Sequence, residues 1–237
     1  MIVRISYQTL LLPPPFAFAY TMELDFKNEQ IEIKYDLEFL NRDEISLEEI
    51  EAEGYSENDD YSWQGTLGKV WYDDLYNDIH QIELEEETEE INVYLHMEVQ
   101  SNDNFENEGL VVLAEDWDYR LQELIQAIYE KDGIEAPLSL TCINVKNGNK
   151  ETFHLKGTFE HKTATINDQP IDWEQMHELV ADIYAIDLES EPVSKVKGDA
   201  LWIDPASDGA YFNFDELAGP KAVKIKERIL NKLASFK

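Results

Sequence analysis

Five histidines and 51 carboxylates are enough material for metal binding or acid–base chemistry, so their spacing decides whether either is encoded. His80, His96, His154, His161 and His177 form neither a His-x-x-x-His nor a His-Glu-x-x-His pair, the spacings that put two ligands on one helical face. Asp204-Pro205-Ala206-Ser207-Asp208-Gly209, with Asp215 in the twelfth place, has the length of a calcium loop. Its third place is Ala206 and its last lacks a bidentate glutamate, so Asp208-Gly209 reads as a hairpin turn instead. The neighbours Asp59-Asp60 and Asp73-Asp74 do not make an acid–base pair, because that work needs two groups from apposed elements in different environments. No glycine-rich phosphate loop and no Gly-x-Ser-x-Gly elbow occurs. The sequence therefore assigns no catalytic residue, no metal ligand and no cofactor. A hydrolase or metal-dependent enzyme stands as the alternative, with a site assembled in three dimensions from His96, His154 or His161 and nearby carboxylates. By strand parity His154 faces solvent and His161 shares the apolar side with Phe153, Leu155 and Phe159.

Aromatic residues keep close company with acids in two places. Tyr55, Asp59, Asp60, Tyr61 and Trp63 fall in one polar, aromatic loop, and Trp71, Tyr72, Asp73, Asp74 and Tyr76 follow. Aromatic faces and carboxylates together recognise Lys or Arg, through cation–π contact and ion pairing. Asp59, Asp60, Tyr61, Trp63, Trp71, Tyr72, Asp73 and Asp74 are accordingly the expected partner-binding residues. Trp63 and Trp71 have a competing role as anchors of the loop and helix to the core.

The charge of −32 is unevenly spread. Residues 1–42 hold 6 acids and 4 bases, residues 43–119 hold 25 acids and Lys69, and residues 120–237 hold 20 acids and 14 bases. Such a field repels nucleic acid and anionic membranes and steers basic partners toward it. A solvated acidic face that only keeps the protein in solution is the plainer reading of the same charges. The last 17 residues reverse the sign, with Lys221, Lys224, Lys226, Arg228, Lys232 and Lys237 against Glu227. This basic amphipathic helix is expected to meet acids of its own chain, or of a second copy in a homo-oligomer.

The elements that must position these groups are legible in the hydrophobic period. Phe16, Phe18, Tyr20, Met22, Leu24 and Phe26 alternate with small or polar residues, and Ile31, Ile33, Tyr35, Leu37 and Phe39 repeat the pattern, predicting an antiparallel hairpin. A strand over 2–7 is expected at an edge. Ser46-Leu47-Glu48-Glu49 has the form of a capping box, with Gly54 ending the helix, and Val70, Trp71, Leu75 and Ile79 predict another. The run from Glu83 to Glu90 reads as a loop, before strands over 91–99 and 110–114. Asp116 or Asp118 is expected to cap a helix carrying Leu121, Leu124, Ile125 and Ile128 that stops at Gly133. Two strands flank the turn Asn147-Gly148, a third follows near Thr163, and Asp172 begins a helix with Trp173, Met176, Leu179, Val180 and Ile183. After a linker over 189–198, short strands precede a terminal helix opened by Gly219-Pro220.

The fold class expected is α+β, antiparallel meanders and hairpins packed with helices, in two lobes over 1–135 and 136–237. Cys142 is the single cysteine, which excludes an internal disulfide, suits the cytoplasm, and reads as a buried filler. Arg4, Leu10-Leu11-Leu12 and Ala17-x-Ala19 imitate a secretory signal, but Pro13, Pro14 and Pro15 break the helix it needs. No run is long and apolar enough for a membrane span. The expected function is that of a soluble, non-enzymatic acidic binding protein, such as an inhibitor, immunity-type or scaffold protein, that presents the acidic, aromatic surface of residues 55–90 to a basic protein.

Overall fold

The structure, a computed structural model, describes residues 1–87, 92–101, 106–112, 114–185, 191–216 and 220–236. Backbone contacts divide the chain into two compact units, Met1–Asp132 and Gly133–Lys237. Both are helices on antiparallel sheet, which makes the fold α+β.

The first unit contains β1 (Ile2–Thr9), β2 (Phe18–Lys27), β3 (Gln30–Phe39), α1 (Leu47–Ala52), β4 (Tyr61–Leu67), α2 (Lys69–His80), β5 (Leu84–Glu85), β6 (Val93–Gln100), β7 (Glu106–Val111) and α3 (Ala114–Asp132). Its sheet runs β4-β3-β2-β1-β6-β7-β5. The β2–β3 hairpin turns at Asn28 and Glu29, both at positive φ, and brings Leu24 opposite Ile33 and Met22 opposite Tyr35. Because side chains alternate across a strand, Val3, Ile5, Tyr20, Met22, Leu24, Ile33 and Tyr35 all fall on one face. Trp71, Leu75 and Ile79 of α2 and Leu121, Leu124 and Ile128 of α3 are buried in the same unit, and Tyr72 and Tyr76 of α2 pack edge-on against Phe26. The opposite face carries a cross-strand row in which Lys34, Glu23, Arg4 and Glu98 alternate in sign.

Several expectations are corrected in this unit. β1 is not an edge strand; it pairs with β2 on one side and β6 on the other. Residues 61–67 are not loop, since β4 pairs with β3 from Leu37↔Tyr61 to Ile31↔Leu67. Neighbouring glutamates hid a short strand, β5, at the edge of β7, and β7 itself lies four residues earlier than its apolar run implied. Neither Asp116 nor Asp118 caps α3, which begins at Ala114. Asp116 lies in its first turn, where a carboxylate suits the helix dipole. Asp118 faces inward instead, where the Tyr7 hydroxyl donates to it and burial raises the carboxyl above its usual range.

The second unit contains β8 (Leu138–Lys146), β9 (Asn149–Thr158), β10 (Thr163–Ile166), β11 (Gln169–Ile171), α4 (Trp173–Tyr184), β12 (Ala200–Asp204), β13 (Phe212–Asn213) and α5 (Pro220–Leu233). The sheet order is β11-β10-β9-β8-β12-β13. Asn147 and Gly148, both at positive φ, close the β8–β9 hairpin, and the Asp199 carboxylate accepts both of their amide hydrogens. Leu140, Cys142, Phe153, Leu155, Leu201 and Ile203 meet Met176, Leu179 and Ile183 of α4 and Ile225, Ile229 and Leu233 of α5 in one core. On the other face Ile143, Ala200 and Trp202 pack with Val196 and Tyr211. Cys142 is 1 % exposed, and burial pushes its thiol up to about 12.

Candidate functional site

The site is built where β3 ends. Past Phe39 the chain turns at Asn41, in the left-handed region, and the side chain of Arg42 folds back onto the unit. Its guanidinium lies 3.9 Å from the Phe39 ring centroid and 5.0 Å from that of Tyr55. One amino group donates to the Asp59 carboxylate at 2.6 Å and to the Ser56 carbonyl at 2.8 Å, and the side chain is only 8 % exposed. An aromatic pair with an acid is the arrangement that captures a guanidinium, and here it has captured the chain's own. Hydrogen bonds from Ser56 outweigh the small effect of burial and, with Arg42, hold the Asp59 carboxyl below its usual range.

That capture changes the surface around it. Residues 41–60 hold nine carboxylates, Asp43, Glu44, Glu48, Glu49, Glu51, Glu53, Glu57, Asp59 and Asp60, and all but Asp59 are exposed. Arg42 is the segment's single cation, and it is withdrawn from water. The segment is held in shape by α1, whose capping box joins Ser46 and Glu49 reciprocally and whose Ile50 is buried.

The eight expected binding residues fall at two places. Asp59, Asp60, Tyr61 and Trp63 stand at the start of β4, and Trp71, Tyr72, Asp73 and Asp74 lie on α2 beyond its other end, separated by a strand of roughly 20 Å. Asp60 accepts the Phe39 amide hydrogen at 2.8 Å, and the Tyr61 hydroxyl donates to Asp132 at 2.9 Å while its ring packs on Tyr35 and Tyr129. Trp63 is half-buried and lies over Gly65, where a Cβ would come within 2.3 Å of the indole. Trp71 has no exposed surface and belongs to the core. Tyr72 stacks on Tyr76, and Lys69 bridges Asp73 and Glu29. Asp74 is half-buried on α2.

Comparison with protein-family models, curated proteins and solved structures finds no match.

The histidines stay apart from one another in small contacts. His96 lies 3.7 Å from Glu108, on the sheet face that carries Arg4 and Glu98. His154 meets the Thr141 hydroxyl at 3.1 Å, and Thr141 meets Ser207 at 2.9 Å. His161 is exposed rather than apolar-facing, because β9 stops at Thr158 and the parity that paired it with Phe153 and Leu155 ends there. Among the described residues, no group of three or more His, Cys, Asp or Glu side chains is placed to hold a metal ion. The Asp204 carboxylate is buried and accepts the amide hydrogens of Asp208 and Gly209, so it serves its own turn.

A groove of about 630 Å³ lies beside α5 in the second unit, with Asn144, Glu151, Asp215 and Lys226 over Phe153. Within it Lys226 pairs with Asp215, and the Asn144 amide donates to Glu151. The basic helix finds its counter-charges in the same unit. Arg228 donates twice to Asp182 of α4, and Lys232 reaches Asp182 and Glu178 at 3.1 Å. Burial would raise the Asp182 carboxyl, but these hydrogen bonds more than offset it and hold it below its usual range. No helix of the described residues is long and apolar enough to cross a membrane.

Proposed function

We propose that this chain is a non-enzymatic binding protein whose first unit recognises a basic protein partner through residues 41–60. The observation that carries the proposal is the fate of Arg42. With the one cation of that segment buried between Phe39 and Tyr55, eight exposed carboxylates face solvent with no neighbouring positive charge of the segment to neutralise them. A one-signed surface on a short, capped scaffold raises the encounter rate with a cationic surface and disfavours nucleic acid. Asp59 acts inside this scaffold, tying down Arg42, whereas Glu48, Glu51 and Glu53 point outward. The lone thiol, Cys142, suits a reducing compartment, and the cytoplasm is where we propose the protein works.

The test compares two charge-matched variants in crosslinked capture from the protein's own cells, at salt of about 50 and 500 mM. E48K/E51K/E53K reverses the proposed surface; E32K/E108K/E174K reverses three exposed acids elsewhere. A specific basic partner held by wild type and the control set, and lost from the first set, supports the reading. A partner profile unaffected by the first set, or lost equally from both, sinks it.

A further inference from the structure

Among the described residues, an apolar run at the end of β1 lies outside the packed core. Alternation in β1 ends at Thr9, and Leu10, Leu11 and Leu12 follow it into the loop before β2. They are 48, 64 and 48 % exposed, and Phe16 at the far side of the loop is 36 % exposed. Large apolar side chains scattered singly on a surface need no explanation, but three in succession in so acidic a chain do. The loop is not loosely attached. The Leu10 amide donates to the Asn92 carbonyl at 3.1 Å, and the amides of Phe16 and Ala17 both donate to the Pro13 carbonyl. Three prolines further restrict its backbone, so a partner that covers it loses little entropy in ordering it.

This loop and the acidic segment form one structure. The Phe16 ring meets Tyr55 edge-on at 5.8 Å, and Tyr55 is one wall of the Arg42 sandwich. The Leu40 amide donates to the Ala17 carbonyl at 2.8 Å, which ties the end of the loop to the start of residues 41–60. The exposed leucines and the segment that bears the exposed carboxylates thus leave the same end of the sheet, where Thr9 of β1 bonds Phe18 and Phe18 pairs with Phe39 of β3.

We propose that the Leu10–Leu12 ridge is the apolar anchor of the binding surface, and that its occupant is a basic amphipathic segment of another protein. The apolar side of that segment would cover the leucines and its Lys or Arg side chains would reach the carboxylates. This rests on the reading of residues 41–60 as the recognition surface. Charge complementarity selects the occupant. A second copy would bring the same acids against these, and the chain's own basic amphipathic helix has its apolar stripe, Ile225, Ile229 and Leu233, at 1 % exposure or less. An anionic membrane would be repelled by the same carboxylates.

The experiment uses the full chain and two synthetic four-turn helical peptides. One has Leu on one face and Lys on the other; its twin has Gln in place of every Leu and the same charge. Binding is read by fluorescence anisotropy for wild type, for L10S/L11S/L12S and for E48K/E51K/E53K, with circular dichroism to confirm that each is folded. The expected result is that the leucine variant binds the Leu/Lys peptide about tenfold or more weakly than wild type, and the Gln/Lys peptide equally well. Equal binding of the Leu/Lys peptide to wild type and the leucine variant, with loss only in the charge variant, overturns the anchor and leaves the acidic surface standing. No binding of either peptide to wild type removes both. Leucine-dependent binding to zwitterionic vesicles without binding to the peptide, or leucine-dependent self-association in sedimentation, overturns the proposed occupant.

Discussion

Trp71 offers the sharpest check on how this chain divides core from surface. It stands among acids and aromatics as a contact residue would, yet it is wholly buried, while Val70 beside it on α2 is 37 % exposed. A tryptophan removes roughly 200 Å² from water on burial, which at about 25 cal/mol per Å² amounts to about 5 kcal/mol. Truncations of buried aromatics cost about 3–5 kcal/mol, so the two routes agree. Trp71→Ala is therefore expected to destabilise the first unit by about 3–5 kcal/mol, and Val70→Ala by less than about 1 kcal/mol. Urea titration followed by far-UV circular dichroism measures both. A loss below about 1 kcal/mol for Trp71→Ala would place the indole at the surface and refute the packing of α2 on the sheet. If Trp71→Ala leaves stability intact but abolishes partner capture, the original assignment of Trp71 as a contact residue is the correct one.

Two further predictions concern the second unit. Asp182 is buried with its carboxyl held below the usual range, so its contribution is fully present above the unfolded value of about 3.9 and is lost as pH falls through the lower folded value. The stability gap between wild type and Asp182→Asn should thus be constant from neutral pH to about 5 and close on further acidification; a gap that persists unchanged at the acid end would show that the Arg228 and Lys232 contacts are not what holds it. Cys142, with its thiol pushed up to about 12 by burial, should resist a thiol reagent in the native protein and react promptly once urea unfolds the unit. Rapid native labelling would mean that the core between β8, β9 and the two helices opens easily.

Local signals in the sequence suffice where one short stretch satisfies itself. Strict alternation over Phe18–Lys27 and Gln30–Phe39 needs only the two-residue period of a strand, and Asn28 and Glu29 supply the turn. The capping box at Ser46 and Glu49, the Asp172 cap and the Asn147-Gly148 turn are likewise contained within a few residues. β4 is not legible locally, because Trp63, Gly65 and Ser62 look like loop until β3 offers its edge, and neither is the inward-facing Asp118, because the Tyr7 hydroxyl that donates to it lies 111 residues away in the chain.

The candidate site divides along the same line. Composition alone determines that residues 43–119 carry a large excess of acid, because charge is additive and needs no geometry. Which acids stay exposed is not additive. Asp59 and Arg42 are 17 residues apart, and only the return of the chain past α1 brings Tyr55 and Asp59 around the guanidinium. The leucines of residues 10–12 have apolar character fixed by their side chains, but whether they are core or surface depends on where β1 stops pairing. Sequence thus sets the sign of the charge and the period of each element. Tertiary structure decides which groups spend themselves on one another inside the fold and which remain exposed to solvent.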